Sequence, residues 1–229
     1  MSAGNSRAVD SNQQGPHDHL LSTVTRFRQD DRFRKPIAPF NQEAFAQVGR
    51  WLTGHENDWI LDAGCGTGVS TCELARRFPD TLVVGVDRSE QRLRRQKTTP
   101  ENARFVRADL VDFWRLAAAA RWRPRAQYLL YPNPYPKKQQ FKQRWHAHPV
   151  FPAIVGLGGQ LVCRSNWALY VEELALALGL YGIDCTRTRV STPEGLSAFE
   201  RKYHASGQIL WELRARLAPS DALAQDTRR

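Results

Sequence analysis

The chain has 229 residues, a hydrophobic share of 41% and a formal net charge of +10. This length suits one domain with a sizeable core, and the charge suits a polyanionic partner such as RNA. No apolar run approaches the length of a membrane span, no signal peptide opens the chain, and the four cysteines have no metal or disulfide spacing. We therefore expect a cytoplasmic protein without a metal, as a monomer or small homo-oligomer.

The first 38 residues have two different compositions. Residues 1–20 are polar and poor in apolar side chains, so we expect them to be disordered. Residues 21–38 form a basic arm in which Phe27 and Phe33 alternate with arginines. This arm would either hold phosphates and stacked bases or be a solvated segment pinned by its two rings. Residues 39–51 have apolar side chains at helical spacing, which predicts a helix that covers the sheet.

A glycine-rich turn follows the first predicted strand. Residues 59–68 read WILDAGCGTG, an apolar strand that leads into Gly64, Gly66 and Gly68 and then into a helix over residues 69–77. Glycines permit a tight turn and a close approach of the backbone to a ligand. The spacing is GxGxG, not the GxGxxG of dinucleotide-binding folds. Asp62 would repel a pyrophosphate but would attract a cationic ligand.

Two further predicted strands end in acids. Residues 81–87 end at Asp87, and residues 103–110 carry Asp109 near their end. An acid at the end of the second strand is placed to bind ribose hydroxyl groups. Asp109 is equally suited to cap the helix that follows.

These residues resemble the Rossmann-like S-adenosylmethionine-dependent methyltransferases. The resemblance implies that the glycine turn holds the methionine part of S-adenosylmethionine, that Asp87 holds the ribose and that Asp109 accepts from the adenine amino group. Arg88 and Leu110 would also belong to the cofactor site. A glycine turn that only serves packing is the alternative interpretation.

The later elements alternate between strands and helices. The pattern predicts a short basic helix with a solvated face over residues 89–97, a helix over 140–148 and an amphipathic helix over 167–180. It predicts strands over 126–131, 160–166 and 185–191, and a last, edge strand over 207–217. We therefore predict an α/β fold: a doubly wound, mostly parallel sheet with a final antiparallel strand. The methyltransferase domain would span residues 39–217, followed by a disordered tail over 218–229.

A stiff, basic loop follows the fourth predicted strand. Residues 131–138 read YPNPYPKK, in which three prolines alternate with Asn133 and Tyr135 before Lys137. Proline fixes its own φ and biases its predecessor toward extended geometry, so the loop is held open. An amide, an aromatic ring and lysines at the carboxyl edge of a sheet suit a nucleotide.

With this loop in place, the chain resembles the tRNA (guanine-N7)-methyltransferase family. Four regions match its motifs in order: the cofactor turn at 61–68, the proline loop at 131–138 with the basic segment at 141–144, the GG-x-L strand region at 159–170, and the S-x-F-E segment at 197–200. The resemblance implies that Asn133 joins Asp62, Asp87 and Asp109 in the cofactor site and acts at the catalytic position. Tyr135, Lys137, Asn166, Ser197 and Glu200 would then meet the guanine and its nucleotide.

Two departures from the family pattern concern charge. Asn133 and Asn166 are amides where the family has carboxylates. Guanine N7 has a free lone pair, so its methylation needs positioning rather than a base. A carboxylate would also stabilise the cationic product, and hydrogen bonds to charged groups contribute about 1.5–3 kcal/mol against about 0.5–1.5 for neutral ones. The amides thus predict a weaker or retuned enzyme, with Glu200 as the remaining carboxylate that would grip the base.

Two other functions fit the same residues. The Asn133-Pro-Tyr segment is similar to the N-P-P-Y loop by which amino-methyltransferases hold an exocyclic amine, which would admit a nucleobase amine or a small-molecule acceptor. Alternatively, the two amides favour a non-catalytic paralogue that binds RNA and S-adenosylmethionine.

Overall fold

The computed structural model describes residues 6–29, 33, 35–55, 58–191 and 195–218. The helices are α1 Leu20–Gln29, α2 Pro39–Leu52, α3 Val69–Arg77, α4 Glu90–Leu93, α5 Leu110–Ala119, α6 Phe151–Gly156, α7 Ala168–Gly179 and α8 Ala198–Ala205. The strands are β1 Trp59–Ala63, β2 Leu82–Asp87, β3 Ala103–Arg107, β4 Ala126–Leu130, β5 Gly159–Ser165, β6 Cys185–Arg189 and β7 Trp211–Leu217. None of the helices in these ranges is long and apolar enough to cross a bilayer.

The seven strands form one sheet in the order β3-β2-β1-β4-β5-β7-β6. The first five strands in that order are parallel, and β7 runs antiparallel to both β5 and β6. The predicted mostly parallel α/β sheet with a final antiparallel strand is therefore confirmed. The order reverses between β1 and β4, which are hydrogen-bonded neighbours.

Apolar side chains on both faces of the sheet make two cores. In β1, Leu61 and Ala63 belong to a large cluster with helices α1, α2, α5, α6 and α7, whereas Ile60 belongs to a smaller cluster that includes Leu74 of α3. Side chains alternate between faces along a strand, so a fully buried strand such as β1 supplies both cores. This arrangement explains why β1 is apolar at nearly every position.

One predicted strand has a different place in the sheet. The alternation predicts β7 at the edge, but it lies between β5 and β6, and the edge strands are β3 and β6. The alternation of apolar and polar residues over 207–217 indicates that one face of the strand is more buried than the other. An inner strand can have such a pattern as well as an edge strand, so the pattern does not decide the position in the sheet. The edge strand β6 instead reads CTRTR, and its exposed arginines hinder pairing with another chain.

The segment after the proline loop is also irregular. Instead of a helix starting at residue 140, two 3₁₀ helices span Lys138–Gln143 and Trp145–Ala147. Arg144 joins them in extended geometry, with its side chain fully buried. The extended backbone of Arg144 separates the two 3₁₀ helices and so interrupts the predicted continuous helix.

The polar N-terminal segment is ordered in part, contrary to the expectation for residues 1–20. Gln13 is buried, and α1 begins at Leu20, which is also buried. The sequence gives no sign of this because the partners of Gln13 are distant in the chain. Residues 1–5 of that segment and residues 219–229 of the predicted tail lie outside the described residues.

Candidate active site

The topology brings two loops to one edge of the sheet. Because β1 and β4 are parallel neighbours, the glycine turn after β1 and the proline loop after β4 leave the sheet side by side at its carboxyl edge. Ligands of open α/β sheets bind in the crevice at such a point, where the strand order reverses.

Backbone geometry explains the three glycines of the turn. Gly64, Gly66 and Gly68 all have positive φ, at 82°, 59° and 79°. A Cβ at Gly66 would meet nothing within 4 Å, so there is open space beside the turn. A Cβ at Gly68 would lie 2.5 Å from the Phe105 ring, so this glycine serves packing as well as the start of α3.

Asp87 holds the glycine turn from the end of β2. One carboxylate oxygen accepts a hydrogen bond from the Gly66 N–H at 3.0 Å, and the other accepts from the Ser89 N–H at 2.8 Å. Arg92 Nη1 lies 3.7 Å from the first oxygen. Each carboxylate oxygen can accept more than one bond, so Asp87 retains capacity for hydroxyl donors at this edge.

Asp62 lies beneath the turn rather than in the open. Its Oδ2 accepts hydrogen bonds from the Ser70 and Thr71 hydroxyls at 2.6 and 2.7 Å, and the residue is 1% exposed. Burial raises the pKa of Asp62 to about 6, although the two hydroxyls act in the opposite direction. Asp62 therefore supports the turn and α3 and places a titratable carboxyl below the glycines.

The predicted adenine and ribose neighbours have mixed roles. Asp109 caps α5, with Oδ1 accepting from the Val111 N–H at 2.9 Å, so the capping interpretation is realised. Leu110 packs near Gly64, where a Cβ would lie 3.8 Å from its Cδ1. Arg88 is exposed. These side chains surround the carboxyl edge, but none has a contact that by itself assigns a ligand.

The proline loop combines strain with exposed polar groups. Tyr131 and Tyr135 have positive φ, at 52° and 45°, which is costly for bulky residues. Asn133 is exposed, and its Oδ1 accepts a long hydrogen bond of 3.4 Å from the Tyr135 N–H. Lys137 is exposed as well. Strain of this kind persists only where the surroundings hold it, as at binding sites.

A cavity of about 210 Å³ adjoins the glycine turn. Its wall contains the turn, the start of α3, α4 side chains, the end of β4 and the S-x-F-E segment; it is formed by Gly64, Cys65, Gly66, Thr67, Val69, Ser70, Arg92, Arg95, Leu130, Ser197, Ala198 and Phe199. The cofactor turn and the S-x-F-E segment, which are far apart in sequence, thus face the same space. Ser197 also caps α8 by accepting from the Glu200 N–H at 3.1 Å.

Glu200 does not have the position expected of a base-binding carboxylate. It is fully buried, and its Oε2 accepts hydrogen bonds from Arg164 Nη1 at 2.9 Å and from the Tyr131 hydroxyl at 3.2 Å. Its Oε1 accepts from the Leu196 N–H at 3.3 Å. The expectation that Glu200 grips a guanine is therefore corrected: the carboxylate fastens the S-x-F-E segment to β5 and to the proline loop.

Asn166 lies at the end of β5 and is partly exposed. Its Nδ2 donates to Gln208 Oε1 at 2.8 Å. Gln208 in turn donates to the carbonyl oxygens of Ser6 and Arg7. The amide therefore links β5 to the segment before β7, which its motif position did not indicate.

Several cavity residues were not predicted as site residues. Arg92 and Arg95 are exposed, as expected of a solvated face, but they also line the cavity, and Phe199 adds an exposed ring. The only sequence signal for the two arginines is their place just after Asp87 at the edge of the sheet. Within the described ranges, no group of three His, Cys, Asp or Glu residues is arranged to hold a metal ion.

Comparison with known proteins fits this geometry. The family described as Methyltransferase domain matches residues 60–120, the part that contains the glycine turn, Asp87 and Asp109.

Together with the glycine turn and Asp87, this match supports an S-adenosylmethionine-dependent methyltransferase. The open space beside Gly66 and the accepting oxygens of Asp87 fit the methionine and ribose parts of this cofactor. The methyltransferase is 27% identical to the tRNA (guanine-N(7)-)-methyltransferase of Nocardia farcinica, over 90% of this chain and 79% of that protein. It is 29% identical to the same-named protein of Rubrobacter xylanophilus, over 72% and 75% of the two chains. These relatives confirm the family resemblance carried by the four motifs.

Solved structures agree on the fold of the methyltransferase. The antibiotic-resistance methyltransferase Kmr has a TM-score of 0.53 at 21% identity, covering 77% of this chain and 93% of that one. A 16S rRNA (adenine(1408)-N(1))-methyltransferase of Catenulisporales acidiphilia, solved with its cosubstrate, has a TM-score of 0.54 at 17% identity over 81% and 94%. At these identities the likeness concerns the fold alone.

Proposed function

We propose that the methyltransferase transfers a methyl group to N7 of a guanine in tRNA. The observation that supports this most directly is the cavity shared by the glycine turn and the S-x-F-E segment, whose wall includes Leu130 at the end of β4, directly before the proline loop. The two relatives that carry the name of this activity match it over most of their length.

Methylation of guanine N7 requires the protein mainly to position the base against the cofactor. Bound S-adenosylmethionine supplies an electrophilic methyl group on a sulfonium. Because N7 of guanine would react through a free lone pair, the residues of this chain would need to hold the base in line with that methyl group, and none of them would need to remove a proton. Asn133 would accept a hydrogen bond from the N1–H or amino group of the base. Tyr135 and Lys137 would contact the ring and a phosphate.

We infer an RNA partner from a second surface as well. The basic cleft, of about 580 Å³, lies between α1 and the first 3₁₀ helix; it is lined by His17, His19, Ser22, Thr23, Arg26, Lys138, Gln139, Phe141 and Lys142. None of these residues is acidic, and Arg26 and Lys142 are exposed. Lys138 is partly neutralised by Asp18 at 3.6 Å. The wall of the cleft formed by residues 138–142 continues directly from the proline loop in sequence, which suits the RNA backbone that flanks a target base.

A second candidate function is a non-catalytic protein that binds RNA and S-adenosylmethionine. The position of Glu200 favours it, because the one carboxylate expected to stabilise the cationic product is engaged with Arg164 and Tyr131. An acceptor with an exocyclic amine stays a prediction, as does a cytoplasmic location.

A methyl-transfer assay decides between these functions. Purified protein is incubated with methyl-labelled S-adenosylmethionine and total tRNA, and the RNA is digested to nucleosides. Label in 7-methylguanosine supports the proposal. Label in a methylated amine would replace it with the exocyclic-amine function, and cofactor binding with no label on any RNA would leave the binding role.

A further inference from the structure

One buried arginine, Arg144, binds the backbone carbonyl of Tyr135, a residue of the proline loop with a strained backbone. Arg144 has no exposed side-chain surface, and its Nε and Nη2 donate to the Tyr135 carbonyl oxygen at 3.2 and 3.0 Å. Tyr135 is the loop residue with a φ of 45°. Two hydrogen bonds from a rigid guanidinium to one carbonyl fix the direction of that peptide, and thereby help to keep a conformation that a tyrosine rarely adopts.

The charge of Arg144 is balanced within the same buried network. Glu173 of α7 is fully buried, and its Oε2 accepts from Arg144 Nη1 at 2.5 Å and contacts His146 Nε2 at 2.9 Å. Burial favours the neutral carboxyl, but the bonds from His146 and Arg144 overcome it and hold the pKa of Glu173 at about 2. Burial lowers the pKa of His146. Arg144 and Glu173 thus form a buried ion pair beside the His146 ring.

The N-terminal segment completes this network. Gln13 is buried; its Nε2 donates to Glu173 Oε1 at 2.7 Å, and its Oε1 accepts from Arg144 Nη2 at 3.0 Å. An amide, with one donor end and one acceptor end, satisfies both members of the ion pair at once. No charged side chain of the same size does so, since a carboxylate would face Glu173 and an ammonium would face Arg144.

The same segment also reaches the loop directly. The Ser11 hydroxyl donates to the Pro136 carbonyl oxygen at 2.7 Å, one residue after the peptide that Arg144 holds. His17 donates its N–H to Glu173 at 2.8 Å, and its ring stacks on Phe141 with centroids 4.1 Å apart. We call residues 11–17 the N-terminal strap. The strap contacts the loop at Pro136, its supporting network at Glu173 and the segment after it at Phe141.

We propose that the N-terminal strap, through Gln13 and Ser11, positions the proline loop for methyl transfer. Gln13 is a positioning residue, because it acts through Arg144 on Tyr135 and touches neither cofactor nor base. This inference rests on the proposed function insofar as the loop receives the base. Loss of the strap should misplace the acceptor and lower kcat, whereas S-adenosylmethionine, held at the glycine turn, should keep its affinity.

The decisive variants make the same chemical change at two neighbouring glutamines. Gln13→Glu keeps the size of the side chain but turns the donor toward Glu173 into an acceptor, whereas Gln14→Glu introduces the same charge at the exposed residue beside it. Amide hydrogen exchange over residues 133–140, followed by mass spectrometry, measures the loop without any need for activity. We expect exchange in this window at least ten-fold faster for Gln13→Glu and unchanged for Gln14→Glu.

Kinetics and a second variant complete the test. For Gln13→Glu we expect kcat for RNA methylation to fall roughly ten-fold or more with an unchanged Kd for S-adenosylmethionine. If Gln13→Glu does not fold, Ser11→Ala, which removes the bond to Pro136 and the bond that the hydroxyl accepts from the Gln13 N–H, should speed exchange in the same window by a few-fold. Loop exchange equal to that of the Gln14→Glu control would overturn the inference.

These results separate the inference from the proposed function. If the wild type makes no 7-methylguanosine but Gln13→Glu speeds exchange in the loop, the proposed function is wrong and the role of the strap stands. If the wild type methylates guanine but neither Gln13→Glu nor Ser11→Ala changes exchange in the loop, the proposed function stands and the role of the strap is wrong.

Discussion

At the scale of single residues, the amide at position 133 is the departure with the clearest chemical consequence. Asn133 is exposed and accepts only a weak bond from the Tyr135 N–H, which a carboxylate would accept as well. Asn133→Asp would therefore keep the loop while adding a charge that stabilises a cationic guanine. We expect 7-methylguanosine to form about ten-fold faster, as the difference between charged and neutral hydrogen bonds implies.

The measurement is an initial rate with labelled cofactor and tRNA. Gln47→Glu, which introduces the same charge at an exposed position of α2 outside the cavity and the basic cleft, is the matched control and should not accelerate the reaction. An equal acceleration in both variants, or a slower Asn133→Asp enzyme, would argue against a cationic product.

Asp62 makes a pH-dependent contribution to stability. Burial raises its pKa from 3.8 to about 6, so the folded state binds this proton more tightly than the unfolded state. That contribution is fully present below about pH 4 and is lost as the pH rises through 6, for a total of about 3 kcal/mol. Asp62→Asn, which keeps an oxygen for Ser70 and Thr71, should therefore become increasingly more stable than the wild type from pH 4 to pH 7.

Thermal or urea unfolding at several pH values measures this difference. Asp80→Asn, at an exposed carboxylate, is the control whose difference from the wild type should stay constant. A constant difference for Asp62→Asn too would mean that Asp62 is charged in the folded protein throughout this range.

At the scale of elements, a glycine in the middle of β2 lets α3 pack above Asp62. A Cβ at Gly85 would lie 2.3 Å from Thr71 Oγ1, and Thr71 donates to Asp62. We expect Gly85→Ala to destabilise the fold by about 1–3 kcal/mol, as overpacking does, and to weaken cofactor binding because the turn moves with α3.

Urea unfolding with a titration of S-adenosylmethionine tests this expectation. Gly179→Ala is the matched control, because a Cβ there meets nothing within 4 Å, and it should be neutral or stabilise α7 by up to about 1 kcal/mol. Equal stability of the two variants would show that α3 can shift without cost.

At the scale of the whole molecule, the net charge of +10 becomes meaningful only through its distribution. Arg26 and Lys142 line the basic cleft, whereas Arg50, also exposed, lies in the last turn of α2, outside the cleft. If RNA lies in the cleft, each cleft cation releases counterions on binding. We expect Arg26→Ala and Lys142→Ala each to reduce the slope of log K against log salt by about 0.7–0.9.

Fluorescence anisotropy with labelled tRNA at several salt concentrations gives these slopes. Arg50→Ala removes the same charge and should leave the slope unchanged. Slopes that fall equally in all three variants would mean that RNA is attracted by net charge and not by the cleft.

The sequence by itself determined the parallel sheet, the glycine turn with its acids, and the proline loop, because these depend on local signals. Period-2 and helical patterns, glycines with positive φ and prolines act within a few residues of themselves. The motif order was likewise enough to indicate the family. The helix boundaries of α2 and α3 follow from the same local chemistry.

Only the tertiary structure decided what the buried polar side chains do. Glu200 meets Arg164, Gln13 meets Glu173, and β7 enters the sheet between β5 and β6, all through contacts between residues far apart in the chain. The sequence of a motif is the same whether its carboxylate contacts a ligand or a buried arginine, so the motif alone does not distinguish the two roles. Burial decides between these roles, since a buried charge must be paired, and burial is a property of the whole fold.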